Sequence, residues 1–223
     1  MGSLIMVINP NSSEAMTMGI DAAIIPLRSQ DGPEIRCLTL SEGPPGIESD
    51  ADVRSVIAPL CQLAQTLEKK VAAFVNACFS DPGLTEMRAA TRRPVFGIAE
   101  SALLTALAHG QKIGILSILD ESIERHARYI DNLGIKTRIA GDYSINLGIR
   151  ELSNPCRTFA RLTETGRRLR SERGADVLIL GCAGMSMHRT PLEREVGCPV
   201  IDPCQAAVGM AINAVRLGLQ LND

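Results

Sequence analysis

The sequence predicts an α/β protein of two similar halves, each a parallel sheet flanked by helices. Three observations carry this. Short apolar runs alternate with helix-period segments along the chain, and such alternation builds βαβ units on parallel sheets. With 223 residues, the chain is long enough for one large α/β domain or two small ones. An internal repeat is also present. Phe74-Val75-Asn76-Ala77-Cys78 aligns with Leu178-Ile179-Leu180-Gly181-Cys182, an offset of 104 from residue 78 to residue 182. Pro94-Val95-Phe96 aligns with Pro199-Val200-Ile201 at 105, and Met6-Val7-Ile8-Asn9 with Gly114-Ile115-Leu116-Ser117 at 108.

The elements follow in order. Leu4–Ile8 reads as a strand, and Ser12 or Ser13 offers an N-cap for a helix to about Leu27. Ile35–Leu40 is a strand, and 41–46 is a loop of turn residues. A helix covers about Ala51–Lys69, and Val71–Asn76 is a buried strand. Pro82-Gly83 interrupts the chain before a short helix to about Ala90. Val95–Ile98 is a strand and Glu100–Ala108 a helix. Ile113–Ser117 is a strand, followed by the helix Asp120–Leu133, which Gly134 closes. Lys136–Ala140 reads as a strand, and a long helix then runs to about Arg173. Asp176–Leu180 and Val200–Ile201 are strands, and Gln205–Leu217 is the last helix.

Composition excludes several classes. The net charge is −2 and no basic stripe appears, so nucleic acid and anionic membrane are not expected partners. The apolar start is too short to span a bilayer and lacks a secretion signal; the cytosol is the expected compartment. Seven cysteines, an odd number, argue against a disulfide framework. Their spacing does not suit structural zinc, so no metal is expected. No glycine-rich phosphate loop and no strand-end lysine fit for pyridoxal is present, so no cofactor is expected.

The two repeated cysteines carry the chemistry. Each ends a buried strand where a loop begins, and ligands of such folds sit beyond the carboxyl ends of strands. Two halves packed face to face would bring both thiols toward one cleft. Inverting a carbon next to a carbonyl requires a proton to leave one face and another to arrive on the opposite face. A thiolate takes it and a thiol gives it. A helix N-terminus after each turn would lower the thiol pKa, and backbone N–H groups of the turns would hold the enolate oxygen.

Asn9-Pro10-Asn11-Ser12-Ser13, Ala77-Cys78-Phe79-Ser80-Asp81-Pro82-Gly83-Leu84 and Gly181-Cys182-Ala183-Gly184-Met185 together resemble hydantoin racemases. These belong, with allantoin racemases, to the aspartate/glutamate racemase superfamily. The resemblance spans essentially the whole chain. It implies two pseudo-symmetric, flavodoxin-like α/β halves with the active site between them. The last helix would cross back onto the first half. The expected division is therefore 1–98 plus 206–223 against 99–205. The amino-acid racemases of the superfamily carry Asp-Ser-Gly, Cys-Asn-Thr and Gly-Cys-Thr-His where this chain has Asn9-Pro10-Asn11, Cys78-Phe79-Ser80 and Gly181-Cys182-Ala183. That departure points from free glutamate or aspartate toward a neutral cyclic imide or ureide, a 5-substituted hydantoin or allantoin.

Cys78 and Cys182 are thus the expected catalytic pair, with Asn9, Phe79, Ser80, Ser117, Ala183 and Gly184 as substrate contacts. Each has a plainer role open to it. Both cysteines could be inert core residues. Asn9, and equally its repeat mate Ser117, could only shape a turn. Asp81 reads as a turn residue before Pro82-Gly83, and His188 as a surface helix residue. A cis–trans isomerase, a decarboxylase, an amino-acid racemase or a non-catalytic binder on the same fold remains open; a decarboxylase would keep only the second cysteine. Exposed helices suggest a homo-oligomer.

Overall fold

The computed structural model describes residues 3–219, so the last four residues of the expected 206–223 segment lie outside it. The chain divides into two compact units. One holds the residues up to Ser101 together with those from Cys204 on, and the other runs from Ala102 to Pro203.

In the first unit, β1 (Leu4–Asn9) is apolar and buried from Ile5 on, as a strand covered on both faces must be. Ser13 starts α1 (Glu14–Ala23), its hydroxyl accepting from the Met16 N–H at 3.2 Å. The helix ends earlier than expected. Ile25–Leu27 forms a 3-10 turn instead, because Pro26 cannot donate to continue an α-helix. After β2 (Glu34–Thr39), the single helix expected over 51–69 is two: α2 (Asp50–Ser55) and α3 (Ile57–Leu67), broken at Val56. Pro59 explains the break, since it has no N–H to bond the Ser55 carbonyl. β3 (Ala73–Asn76), α4 (Leu84–Ala90), β4 (Val95–Gly97) and the start of α5 (Ile98–His109) follow. α9 (Pro203–Arg216) supplies the unit's last helix. The sheet is parallel, in the order β2-β1-β3-β4.

The second unit repeats that plan. β5 (Ile113–Ser117) leads to α6 (Asp120–Asn132), after which Gly134 turns the chain at φ 69°. The strand expected at 136–140 starts later, as β6 (Ile139–Ser144). Lys136–Arg138 forms a 3-10 turn, and the Arg138 guanidinium donates to the carbonyls of Gln111 and Gly110 at 2.9 and 2.6 Å. Those bonds hold the segment against the loop that enters β5. Asn154 caps α7 (Pro155–Arg173), accepting from the Arg157 N–H at 3.1 Å, and Gly174 closes it in the left-handed region. β7 (Val177–Leu180) is followed by a 3-10 segment (Ala183–His188), α8 (Arg189–Val196) and β8 (Val200–Ile201). The sheet order is β6-β5-β7-β8, again parallel.

Each unit has its own apolar core. Ile8, Leu60, Phe74 and Met87 anchor the first, and Leu116, Leu162, Leu178 and Leu192 the second. Among the described residues no helix is long and apolar enough to cross a membrane.

Candidate active site

The sequence repeat extends to individual hydrogen bonds. In the first unit the Ala77 N–H donates to the Ile8 carbonyl at 2.8 Å, joining the carboxyl ends of β3 and β1. In the second, the Gly181 N–H donates to the Leu116 carbonyl, also at 2.8 Å. The residue after each donor is a cysteine, Cys78 or Cys182. Within the first unit the structure brings Asn9, Cys78, Phe79 and Ser80 to one end of the sheet. Within the second it does the same for Ser117, Cys182, Ala183 and Gly184. Cys78 and Cys182 are partly exposed, whereas Phe79 and Ala183 are buried beside them.

The turn after Cys78 is tightly built. The Asp81 N–H donates to the Cys78 carbonyl at 2.9 Å, and Asp81 itself lies in the left-handed region at φ 41°. Its buried carboxylate accepts from the N–H groups of Ala99 and Glu100, at 3.0 and 2.8 Å. Those donors open α5, so a negative charge meets the positive end of that helix. Gly97 makes room, since a methyl there would overlap the Asp81 carboxylate. From below, Asn76 donates to the Pro82 carbonyl at 2.7 Å. The turn reading of Asp81 thus extends to a helix 18 residues away.

The turn after Cys182 is different. The Cys182 sulfur accepts from the Gly184 N–H at 3.4 Å and caps the 3-10 segment. His188 ends that segment, and here the expectation of a surface position is wrong. It is only 4% exposed, and its ring stacks on Phe159 at 6.0 Å between centroids. Burial pushes its pKa down, and its Nε2 has no hydrogen-bond partner. The apolar environment supplied by α7, 29 residues away in sequence, decides its position.

Two polar clusters gather at the carboxyl ends of β1 and β5. The Asn9 amide donates to Asn11 Oδ1, the Ser13 carbonyl and Thr17 Oγ1, at 2.9, 3.1 and 3.0 Å. Thr17 bonds Thr39 on β2 in turn. In the second unit, Ser117 donates to Asp142 at 2.5 Å, and His126 Nδ1 lies 2.7 Å from the other Asp142 oxygen. Asn9 and Ser117 therefore hold turns and neighbouring elements together. Sequence reasoning did not select Thr17, Thr39, His126 or Asp142; the α1 and α6 positions lie one or two helical turns into amphipathic helices, where polar residues read as solvent-facing.

Three of the other thiols are held toward the protonated form. Cys37 is pushed up to about 12 by burial, with the Asp21 hydrogen bond and charge adding to it. Burial also raises Cys61 and Cys198, and Cys204 is buried. Cys156 lies exposed near the start of α7. Among the described residues no group of three or more His, Cys, Asp or Glu side chains gathers as a metal site would need.

Comparison with known proteins decides the family. The model of the Asp/Glu/hydantoin racemases matches residues 5–211. The chain belongs to that family. It is 34% identical to a hydantoin racemase of Pseudomonas sp. (strain NS671) over 216 residues, 96% of this chain and 86% of that one. It is 34% identical to the hydantoin racemase of Paenarthrobacter aurescens, over 97% of this chain and 92% of the relative. The solved allantoin racemase from Klebsiella pneumoniae superposes with a TM-score of 0.91 at 32% identity, covering 99% of this chain and 91% of that one. A glutamate racemase from Bacillus anthracis, 18% identical with a TM-score of 0.70, shares the fold. The protein is accordingly an isomerase of the racemase type.

Proposed function

We propose that this racemase inverts the ring carbon next to a carbonyl in a 5-substituted hydantoin, allantoin included, with Cys78 and Cys182 as its acid–base pair. The observation that carries the reading is the equivalence of the two thiols. Each follows a residue bonded to the neighbouring central strand, at the carboxyl end of its own sheet. Three of the other cysteines are shifted toward the protonated form.

The reaction needs no redox step. A thiolate on one face takes the α-proton and becomes a thiol, leaving an enolate whose charge spreads over the adjacent carbonyl. Backbone N–H groups of the cysteine turns bind the enolate oxygen. The second thiol delivers its proton to the opposite face and becomes the thiolate. The protein is left with the two protonation states exchanged, ready for the reverse reaction or for reset by solvent.

The substrate class follows from the same turns. Phe79, Ala183 and Gly184 offer no charged partner to an ammonium or a carboxylate, and stripping water from those groups is costly. A neutral ring avoids that cost. The names of the relatives agree with it. A cytosolic location and self-association belong to the same reading. Met18, Ile25 and Leu217 are exposed apolar side chains of the first unit, suited to burial between subunits.

Polarimetry on an alkyl hydantoin, an aryl hydantoin, allantoin, glutamate and aspartate tests the substrate class. Rotation should decay for a hydantoin or allantoin in chelator-containing buffer with reductant. Comparable decay on glutamate refutes the neutral-ring assignment, and loss of activity with chelator that zinc restores refutes the two-thiol mechanism.

A further inference from the structure

We infer that Asp81 is a positioning residue for the Cys78 thiol: its carboxylate, fastened to the N-terminus of α5, fixes the turn that carries that cysteine. The inference rests on the two-thiol reading above.

Four ties converge on the six residues from Cys78 to Gly83. The Asp81 N–H bonds the peptide carbonyl of Cys78 itself. The Asp81 carboxylate takes the Ala99 and Glu100 N–H groups. Asn76 fastens the Pro82 carbonyl. Gly97 has no Cβ, which leaves the carboxylate its place. Asp81 lies in the left-handed region at φ 41°, which Asp tolerates better than most residues and which its surroundings must still fix. Charge-assisted bonds to two helix N–H groups supply that determination.

The second half holds its thiol by another arrangement. At the repeat offset of 104, Met185 stands where Asp81 does, and at 105 Asp202 stands where Gly97 does. The Cys182 turn is a 3-10 segment capped by its own sulfur. The Asp81 bonds to the Cys78 carbonyl and to the start of α5 are made within the first unit, so the loss of the clamp should be felt first at Cys78.

A second carboxylate accepts from two consecutive N–H groups away from either cysteine. Asp176, at the amino end of β7, accepts from the Gln111 and Lys112 N–H groups at 3.0 and 2.8 Å. A methyl on Gly110 would overlap its carboxylate. Unlike Asp81, it is exposed and its donors follow α5 rather than open it, and it lies at the end of the sheet opposite to Cys182, so it serves as a comparison for carboxylate loss remote from the thiols.

The experiment places Asp81→Asn in two parents, Cys182→Ser, where Cys78 alone remains, and Cys78→Ser, where Cys182 alone remains. Solvent deuterium exchange is followed by NMR on each enantiomer of the panel member turned over fastest, with thermal midpoints alongside. With Cys78 alone, exchange should fall roughly 10- to 100-fold, the scale of a misplacement near 1 Å. With Cys182 alone it should stay within about twofold on that scale. Gly97→Ala, which displaces the carboxylate from the opposite side, should give the same pattern. Asp176→Asn should give no such difference even if it lowers the midpoint. Equal losses in both parents, or none in either, overturn the positioning role while leaving the two-thiol reading intact. If each single-cysteine parent already exchanges both enantiomers at the wild-type rate, the two-thiol reading fails first and this inference falls with it.

Discussion

Gly181 stands immediately before Cys182, and an added methyl there would meet the structure at a rigid point. A Cβ at Gly181 would lie 2.6 Å from the Leu116 carbonyl oxygen and 3.2 Å from Ser117 Cα, where ordinary contact begins at 3.4 Å. Both neighbours are backbone or bound to it, so neither can rotate away. Gly181→Ala must therefore move the ends of β5 and β7 apart by about 0.8 Å, the gap between contact and the observed approach. That motion stretches the 2.8 Å bond from the Gly181 N–H to the Leu116 carbonyl. Overpacking of this kind costs about 1–3 kcal/mol. A shift near 1 Å at a reacting group costs up to about 100-fold in rate. Urea unfolding and initial racemisation rates measure the two effects separately. Gly19→Ala is the counterpart, because nothing lies within 4 Å of its added Cβ; in mid-helix it should stabilise by about 0.5–1 kcal/mol. If Gly181→Ala kept wild-type stability and rate, the close approach of β5 and β7 behind Cys182 would be wrong.

Two further predictions concern stability. His188 is buried with its pKa below the ordinary 6.5, so the unfolded chain binds more protons just below that pH, and stability falls as pH drops from 6.5 through the folded value. His188→Gln should flatten this acid slope in thermal midpoints taken between about pH 8 and pH 5, and an unchanged slope would assign the acid sensitivity elsewhere. Asn154→Ala removes the side-chain cap of α7 and should lower the urea midpoint by the equivalent of about 1 kcal/mol; an unchanged midpoint would mean that the cap contributes nothing.

Much of the fold is legible in the sequence because its central strands are simple. β1, β3, β5 and β7 are short apolar runs bounded by turn residues, buried on both faces. Elements whose form depends on partners were harder to read. β6 is only half-buried, so its pattern is weak, and Arg138 shifts its start through bonds to a loop 27 residues earlier. The break at Val56 was visible in principle, since Pro59 lies inside the expected helix. The site divides the same way. The cysteines announce themselves by repetition. The roles of Asp81 and His188 depend on contacts with α5 and Phe159, which no local pattern encodes.

Solvent deuterium exchange on pure enantiomers tests most directly whether one thiol serves each face of the substrate. Cys78→Ser and Cys182→Ser should each abolish full racemisation, since a hydroxyl is too weak an acid to replace an ionised thiol. Each variant should still exchange the α-hydrogen of one enantiomer, and the two should prefer opposite enantiomers. Two variants that both exchange both enantiomers at near wild-type rates would show that neither cysteine is the base.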